Sequence, residues 1–233
     1  INIICMSKVL ITGASGFIGS HTCLLLLKKG YEVFALDSCI NSSSISLKKV
    51  VRILKNDFPF INEKLHFFCG DIRDKNILNM IFHKASVDGN PIKNVIHFAG
   101  LKSVSESIDK PIEYWDVNLR GTIDLVNVMN ENNCHNIVFS SSASIYKYSN
   151  NPLNEDSLIG PSNPYGATKF AVEEFLNNTF NSAPDKWRIA NLRYFNPIGA
   201  YSSGEIGEHP SGKPNNLFPL ITQVASGQRR VLK

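Results

Sequence analysis

Short runs of apolar, often β-branched residues alternate with longer stretches of helical period from residue 8 to about residue 192. The runs predict strands at 9–12, 32–36, 66–69, 94–98, 136–140 and 188–192, none of them interrupted by glycine or proline. Between them, apolar positions recurring every three or four residues predict helices at 17–29, 74–85, 114–132 and 165–180. Gly30 offers the first of these a C-terminal stop, and Asp74 offers the second an N-terminal cap. Strand and helix in strict alternation predict an α/β fold, a doubly wound parallel sheet of Rossmann type. Beyond Asn196 the texture changes to a Gly-, Ser- and Pro-rich stretch running through Pro214, followed by one amphipathic segment, Leu217–Ala225. That change reads as the beginning of a second, smaller unit.

Composition narrows the function classes. A chain of 233 residues with 43% hydrophobic content can bury the core of one large domain, or of one and a half. Its longest apolar run, 23–27, is too short to cross a membrane. No charged-then-apolar leader is read at the start, and the residues before Met6 read as an extension. The five cysteines are odd in number and never form Cys-x-x-Cys, which points to reduced thiols in the cytoplasm. No metal site is expected, since the six histidines lack ligand spacing and each reads as a core or surface residue. The net charge of +4 is mild, and the basic pairs at 28–29, 48–49 and 229–230 are scattered without aromatic interleaving. Neither a nucleic acid nor a membrane is an expected partner.

In open sheets of this kind ligands sit beyond the carboxyl ends of the strands. The first strand is followed by Gly13-Ala-Ser-Gly16-Phe-Ile-Gly19, which runs directly into a helix. Such a loop can cradle a pyrophosphate on backbone N–H groups at a helix N-terminus, although it also fits an ordinary tight turn. Asp37 follows the second strand, where a carboxylate accepts ribose hydroxyls and repels a 2′-phosphate, favouring NAD over NADP. The alternative for Asp37 is a turn residue before Ser38. Asp71 and Ile72 are placed to meet an adenine edge, and Phe98, Ala99, Gly100 and Lys102 to pass beneath the cofactor, with a turn and a surface lysine as the other readings.

Ser140, Ser141 and Ser142 end the fifth strand, as a hydroxyl source or as strand-end turn chemistry. Tyr165 and Lys169, four residues apart, share one helix face. An ammonium beside a phenol favours the phenolate, but bringing a phenol from pH ~10 to neutrality takes roughly 4 kcal/mol. One lysine rarely supplies that. A second cation, such as an oxidised nicotinamide ring, and a fixed hydroxyl would be needed; without them the pair is a helix-start tyrosine beside a solvated lysine. Serine, tyrosine and lysine together fit removal of a proton from a substrate alcohol as its carbon gives up hydride.

Several segments taken in order resemble the extended short-chain dehydrogenase/reductase superfamily and, within it, the UDP-glucose 4-epimerase family. They are the glycine loop through Ser20-His-Thr22, His97-Phe-Ala-Gly-Leu-Lys102 with Glu106-Ser107 and Lys110-Pro111, and Phe139-Ser-Ser-Ser-Ala143. Asn163-Pro-Tyr-Gly166, Leu192-Arg-Tyr-Phe-Asn-Pro197 and Pro214-Asn-Asn-Leu217 complete the series. The resemblance implies that Tyr165 is the catalytic base, Ser142 its bridge to the sugar 4-OH, and Lys169 the ribose anchor. It implies an NAD site lined by Phe17, Ile18, Asp37, Asn41, Ser42, Asp71, Ile72, Lys102, Asn118 and Phe195. It further implies a UDP-hexose substrate touched by Lys102, Ser142, Tyr165, Asn196 and Asn216, with an NAD-binding domain over 7–195 and an incomplete substrate-binding domain over 196–233. A homodimer through the helices near residues 114 and 170 is also implied.

Departures from the family pattern are Lys147 in place of a glycine, a slightly short loop between Ser142 and Tyr165, and His209 in place of an acid. The family continues past the equivalent of Lys233 with arginines for the diphosphate, so the chain is expected to be a fragment. Other readings are a nucleotide-sugar dehydratase, decarboxylase or dehydrogenase, or an NAD-binding protein without turnover. Dehydratases of the superfamily carry Thr-Asp-Glu where this chain has Ser141-Ser-Ala143.

Overall fold

The structure, a computed structural model, describes residues 7–208, 214 and 216–232. Its elements run β1 (Lys8–Thr12), α1 (Phe17–Lys28), β2 (Glu32–Asp37), α2 (Ile45–Leu54), β3 (Leu65–Cys69), α3 (Lys75–Ser86) and β4 (Asn94–His97). There follow α4 (Val104–Asp109), α5 (Pro111–Tyr114), a π-helical turn (Trp115–Arg120), α6 (Gly121–Glu131), β5 (Asn136–Ser142), α7 (Pro164–Ser182), β6 (Arg188–Tyr194) and α8 (Leu217–Ala225).

The sheet is parallel with strand order β3-β2-β1-β4-β5-β6. Its direction of travel reverses at β1, so the loops leaving β1 and β4 diverge and open a crevice at the carboxyl ends of these strands. Alternate side chains of each strand feed opposite faces. Leu10, Phe34, Leu36, Val95, Ile137 and Phe139 meet α3, α6 and α7 on one face. On the other, Val9, Ile11, Val33 and Ala35 meet α1 and α2. The doubly wound α/β sheet expected from the alternation is the fold found.

Three differences from the sequence-based expectation have physical causes. The single helix expected over 114–132 is three pieces, because the Thr122 hydroxyl donates to the Asn118 carbonyl (2.6 Å) and the chain widens there into a π turn. The amphipathic α2 was not anticipated, although Leu47, Val50 and Leu54, which it buries, stand at helical spacing. The short α4 is likewise an addition, capped by Ser103, whose hydroxyl accepts from Glu106 N. β6 is an edge strand with most of its residues exposed, and α8 buries only Pro219 while Leu217, Phe218 and Ile221 face outward. Among the described residues no helix is long and apolar enough to cross a membrane.

Candidate active site

The loop after β1 needs its glycines. Gly13 sits at φ +68°, and a Cβ there would lie 2.6 Å from the backbone nitrogen of Ala99, at the end of β4. A Cβ on Gly19 would stand 2.2 Å from the Gly13 carbonyl oxygen. Both collisions are with backbone, so α1 can start this close to β1 and β4 only where side chains are missing. What remains is a concave run of backbone at a helix N-terminus, shaped for a diphosphate. Phe17 and Ile18 form the half-buried first turn of α1, and Gly16 precedes them.

Asp37 ends β2 buried beside this loop. Its Oδ2 accepts from Ser15 N (2.8 Å), and its Oδ1 accepts from Cys39 N and Ser42 Oγ (both 2.8 Å). Ser42 therefore meets the carboxylate, and Asn41 beside it is exposed. Beyond β3, both oxygens of Asp71 are engaged by Arg73. The Ile72 side chain turns into the core, where the nearest point of Gly121 leaves no room for a Cβ.

The side chains expected to transfer the proton come from β5 and α7. Asn163 caps α7, its Oδ1 accepting from Gly166 N (2.9 Å), and Pro164 takes the first helical position. Tyr165 is thus in the first turn and Lys169 directly behind it. Lys169 is buried, with Nζ donating to the Ser140 carbonyl (2.8 Å) and lying 4.8 Å from the Phe139 ring centroid and 5.9 Å from that of Tyr165. Of the three serines, Ser142 is the one whose hydroxyl stands near enough to Tyr165 to act on its phenol. The buried Ser141 hydroxyl has no partner within the structure.

Burial pushes Lys169 down to about 8. Burial also lifts the Tyr165 phenol above its ordinary value, with the Ser142 hydroxyl holding it back in part. In the chain alone the lysine does not make the tyrosine a base, since its ammonium is turned onto the Ser140 carbonyl and burial of the phenol prevails. The extra cation inferred from sequence is still required.

A stability test follows for Lys169. Its folded value, about 8, lies below the ordinary 10.5, so below pH 8 the folded state bears the full cost of the buried charge. Between 8 and 10.5 the unfolded chain binds more protons, and this group's contribution to stability rises with pH. Lys169→Met is therefore expected to stabilise the fold by about 2 kcal/mol at pH 7 and to lose most of that advantage by pH 10, read by urea melts. No gain at pH 7 would contradict the assignment.

Asn118, in the π turn, is buried and holds the segment after β4. Its Oδ1 accepts from Leu101 N (2.8 Å), and its Nδ2 donates to Leu101 O (3.1 Å) and Thr168 Oγ1 (3.0 Å). Phe98, Ala99 and Gly100 are fixed between these anchors, with Gly100 close enough that a Cβ would lie 3.7 Å from Lys169 Nζ. Behind them His97 Nδ1 meets Thr12 Oγ1 (2.6 Å) and Nε2 meets Thr122 Oγ1 (2.8 Å). The Thr122 hydroxyl already donates to Asn118 O, so it accepts from His97, which is neutral with its proton on Nε2. Burial, with Lys169 nearby, holds His97 down to about 3. Thr12 and Thr122 carried no sequence signal, and His97 stood out only as the first residue of a family-like segment.

Lys102 is exposed and faces Glu208 (3.8 Å), whose Oε1 also accepts from Asn216 Nδ2. Glu208, not anticipated from sequence, thus joins the two residues expected at the substrate. Phe195 and Asn196 follow β6 and are exposed, and Phe195 lines an open cleft of about 570 Å³ with Tyr146, Leu153, Glu155 and Arg193. Arg193 grips the buried Glu173 on α7 (Nη2 to Oε2, 2.8 Å) and donates to Tyr146 Oη (2.9 Å). Glu173 is one turn beyond Lys169, so this ion pair locks the site-bearing helix to β6. Lys147 is exposed next to Gly160, and His209 lies outside the described residues. Among the described residues no three His, Cys, Asp or Glu side chains gather to hold a metal ion.

A family model described as the NAD dependent epimerase/dehydratase family matches residues 9–233. A UDP-glucose 4-epimerase of Yersinia enterocolitica is 48% identical over 223 residues, spanning 95% of this chain and 62% of that protein. One of Bacillus subtilis (strain 168) is 44% identical over 221 residues, spanning 94% and 61%. Among solved structures, UDP-glucose 4-epimerase from Bifidobacterium longum in complex with NAD+ and UDP superposes with a TM-score of 0.87 at 41% identity, over 96% of this chain and 64% of that one. The chain therefore spans about three fifths of the length of the curated relatives it matches.

Proposed function

The chain belongs to the NAD dependent epimerase/dehydratase family, and from that membership we propose that it carries the NAD-binding and proton-transfer part of a UDP-glucose 4-epimerase. The reaction is interconversion of UDP-glucose and UDP-galactose through transient oxidation at C4. The observation that carries this reading is the meeting of Ser142, Tyr165 and Lys169 at the sheet edge that also holds the glycine cradle and Asp37.

The residues fit the cofactor. Gly13, Gly16 and Gly19 leave backbone-lined room for a diphosphate, and Asp37, pre-oriented by three donors, presents a carboxylate to ribose hydroxyls and would repel a 2′-phosphate. Phe17, Ile18, Asn41, Ser42, Asp71, Ile72, Phe98, Ala99, Gly100, Lys102, Asn118 and Phe195 complete the lining. When bound, NAD accepts a hydride from C4 and returns it to the opposite face. Tyr165, as phenolate, takes the O4 proton with Ser142 as its hydrogen-bonded bridge, and hands it back when the 4-keto sugar is reduced. Lys169, buried and ammonium at neutral pH, grips the ribose and favours the phenolate. Lys102, Asn196 and Asn216 contact the sugar nucleotide, the last two from residues 196–233, taken as the start of a substrate-binding domain after an NAD-binding domain over 7–195.

A homodimer is part of this reading, supported by the exposed apolar side chains of Ile108, Ile112 and Trp115 on α4, α5 and the π turn. So is a cytoplasmic setting, supported by the free thiols of Cys23, Cys39, Cys69 and Cys134. The test is incubation of the protein with UDP-galactose and no added reductant, with the sugar analysed after acid release. Glucose without net NADH is expected. A stable keto sugar, or NADH in proportion to substrate consumed, would overturn the assignment.

A further inference from the structure

We propose that Arg193 is a positioning residue for the proton transfer: its guanidinium clamps the chain between Ser142 and Tyr165 onto α7 and β6, and so fixes the approach of the Ser142 hydroxyl to the Tyr165 phenol. This rests on the reading of Ser142 and Tyr165 as the proton relay and names what holds the two together.

The placement comes from the sheet edge. Arg193 on β6 pairs in register with Ser141, and Tyr194 with Ser142, so the arginine stands beside the strand end that carries the relay serine. From there the chain runs out and folds back before it reaches Tyr165. Tyr146 bridges Ile159 antiparallel, Lys147 N donates to Leu158 O (2.9 Å), and Gly160 N donates to Ile145 O (3.0 Å). The returning arm enters α7 at its Asn163 cap, where a Cβ on Gly166 would collide with the Ser144 carbonyl oxygen. Backbone thus rests on backbone one residue past Tyr165 and two past Ser142.

The guanidinium secures that contact from the other side. Arg193 Nε and Nη2 grip the two oxygens of the buried Glu173 on α7 (3.1 and 2.8 Å), while Nη1 donates to Tyr146 Oη (2.9 Å) and to the Glu155 carbonyl (2.8 Å). The Tyr146 ring also packs against the guanidinium, with its centroid 5.2 Å from Cζ. One planar group therefore joins the outgoing arm at Tyr146, the returning arm at Glu155, and the helix that carries Tyr165 and Lys169. An ammonium is a single point with three donors, and in this place it serves Glu173 at the expense of the loop.

Proton transfer is the step that feels the clamp. A hydroxyl passes a proton across about 2.7 Å, and a misplacement of about 1 Å costs on the order of a hundredfold in rate. The Ser142 hydroxyl already acts on the Tyr165 phenol. With the clamp released, the loop between them slackens and the relay lengthens, although both groups are still present. The glycine cradle and Asp37 make no bond to Arg193, so the cofactor's contacts there are left as they are. Arg193 acts through Glu173, Tyr146 and Glu155.

The experiment compares UDP-galactose epimerisation by the unaltered protein, Arg193→Lys, Tyr146→Phe, Ser142→Ala, and the double variant of Arg193→Lys with Ser142→Ala. Arg193→Lys keeps a positive charge for Glu173 and is expected to lower kcat about tenfold, with the KM for UDP-galactose and the affinity for NAD within about twofold. Tyr146→Phe keeps the ring and the Arg193–Glu173 pair; it should lower kcat about threefold, and it decides alone if Arg193→Lys does not fold. The double variant should be within about twofold of Ser142→Ala, since no relay is left to misplace, whereas a merely structural role would multiply the two losses. Asp88→Asn, which weakens the Lys8–Asp88 pair (2.7 Å) outside the site, should lower the melting temperature and leave kcat unchanged. Full kcat in Arg193→Lys or Tyr146→Phe, multiplied losses in the double variant, or an equal loss of kcat in Asp88→Asn overturns the proposal. Failure of the unaltered protein to epimerise the sugar, or full kcat in Ser142→Ala, overturns the reading it rests on, and the proposal with it.

Discussion

Tyr165→Phe is expected to lower the rate of C4 epimerisation by about a thousandfold while leaving NAD affinity within about twofold. The substitution removes one oxygen and keeps the ring. Lys169 retains its 5.9 Å approach to that ring and its bond to Ser140, and the Asn163 cap of α7 is untouched, so the geometry around the cofactor survives. What disappears is the group proposed to shuttle the O4 proton. The raised phenol in the chain alone adds a second expectation, because burial outweighs the Ser142 hydroxyl until another positive charge arrives. Oxidised cofactor should therefore bring out a phenolate absorbance in the unaltered protein that is missing in Tyr165→Phe. Measured by steady-state rates, cofactor titration and difference absorbance, a variant that keeps a tenth of the rate would show that the proton leaves by another route, with Ser142 the next residue to change.

Gly13→Ala is the second large effect, and it acts on the fold as well as the site. Two costs add. Alanine at φ +68° costs about 1 kcal/mol in backbone strain, and its methyl group, 2.6 Å from Ala99 N and 2.8 Å from Phe98 C, forces an overpacking rearrangement of about 1–3 kcal/mol. Together these are expected to lower the melting temperature by roughly 10 °C. Because the displaced atoms are the backbone proposed to run beneath the cofactor, NAD binding should be lost as well. Gly30→Ala is the matched comparison, since Gly30 also has a left-handed φ of +85° but nothing within 4 Å of its would-be Cβ. Thermal melts should place Gly30→Ala only a few degrees below the unaltered protein. If the two variants melt together, the close approach of the first loop to β4 is not what requires glycine.

The parts of this protein legible from sequence are those governed by neighbours along the chain. Periodicity located six strands to within two residues at either end, most cleanly at β1 and β2, where burial on both faces writes the strand as a continuous apolar run. The same logic placed α1, α3, α7 and α8. It failed at the helix over 114–132, where the π turn depends on the Thr122 hydroxyl and, through it, on His97 from β4, a residue twenty-five positions away. Ser142 could be singled out among three serines only by family resemblance, since strand alternation does not say which hydroxyl meets α7. Phe195, Asn196 and Asn216 were named the same way, and no local pattern marks them.

By itself, then, the sequence determined the order and type of elements, the glycine loop at a helix start, an acid after the second strand, and a tyrosine and lysine on one helical face. Each follows from spacing of a few residues, where backbone geometry leaves few choices. The tertiary structure alone decided that the Tyr165 phenol is raised in the chain by itself, that Lys169 is pushed down to about 8, that Glu208 stands between Lys102 and Asn216, and that Arg73 spends its guanidinium on Asp71 and Asp116. Those outcomes depend on burial and on pairs of side chains as much as 106 residues apart, and desolvation and directional hydrogen bonds are set by where the fold brings such groups together.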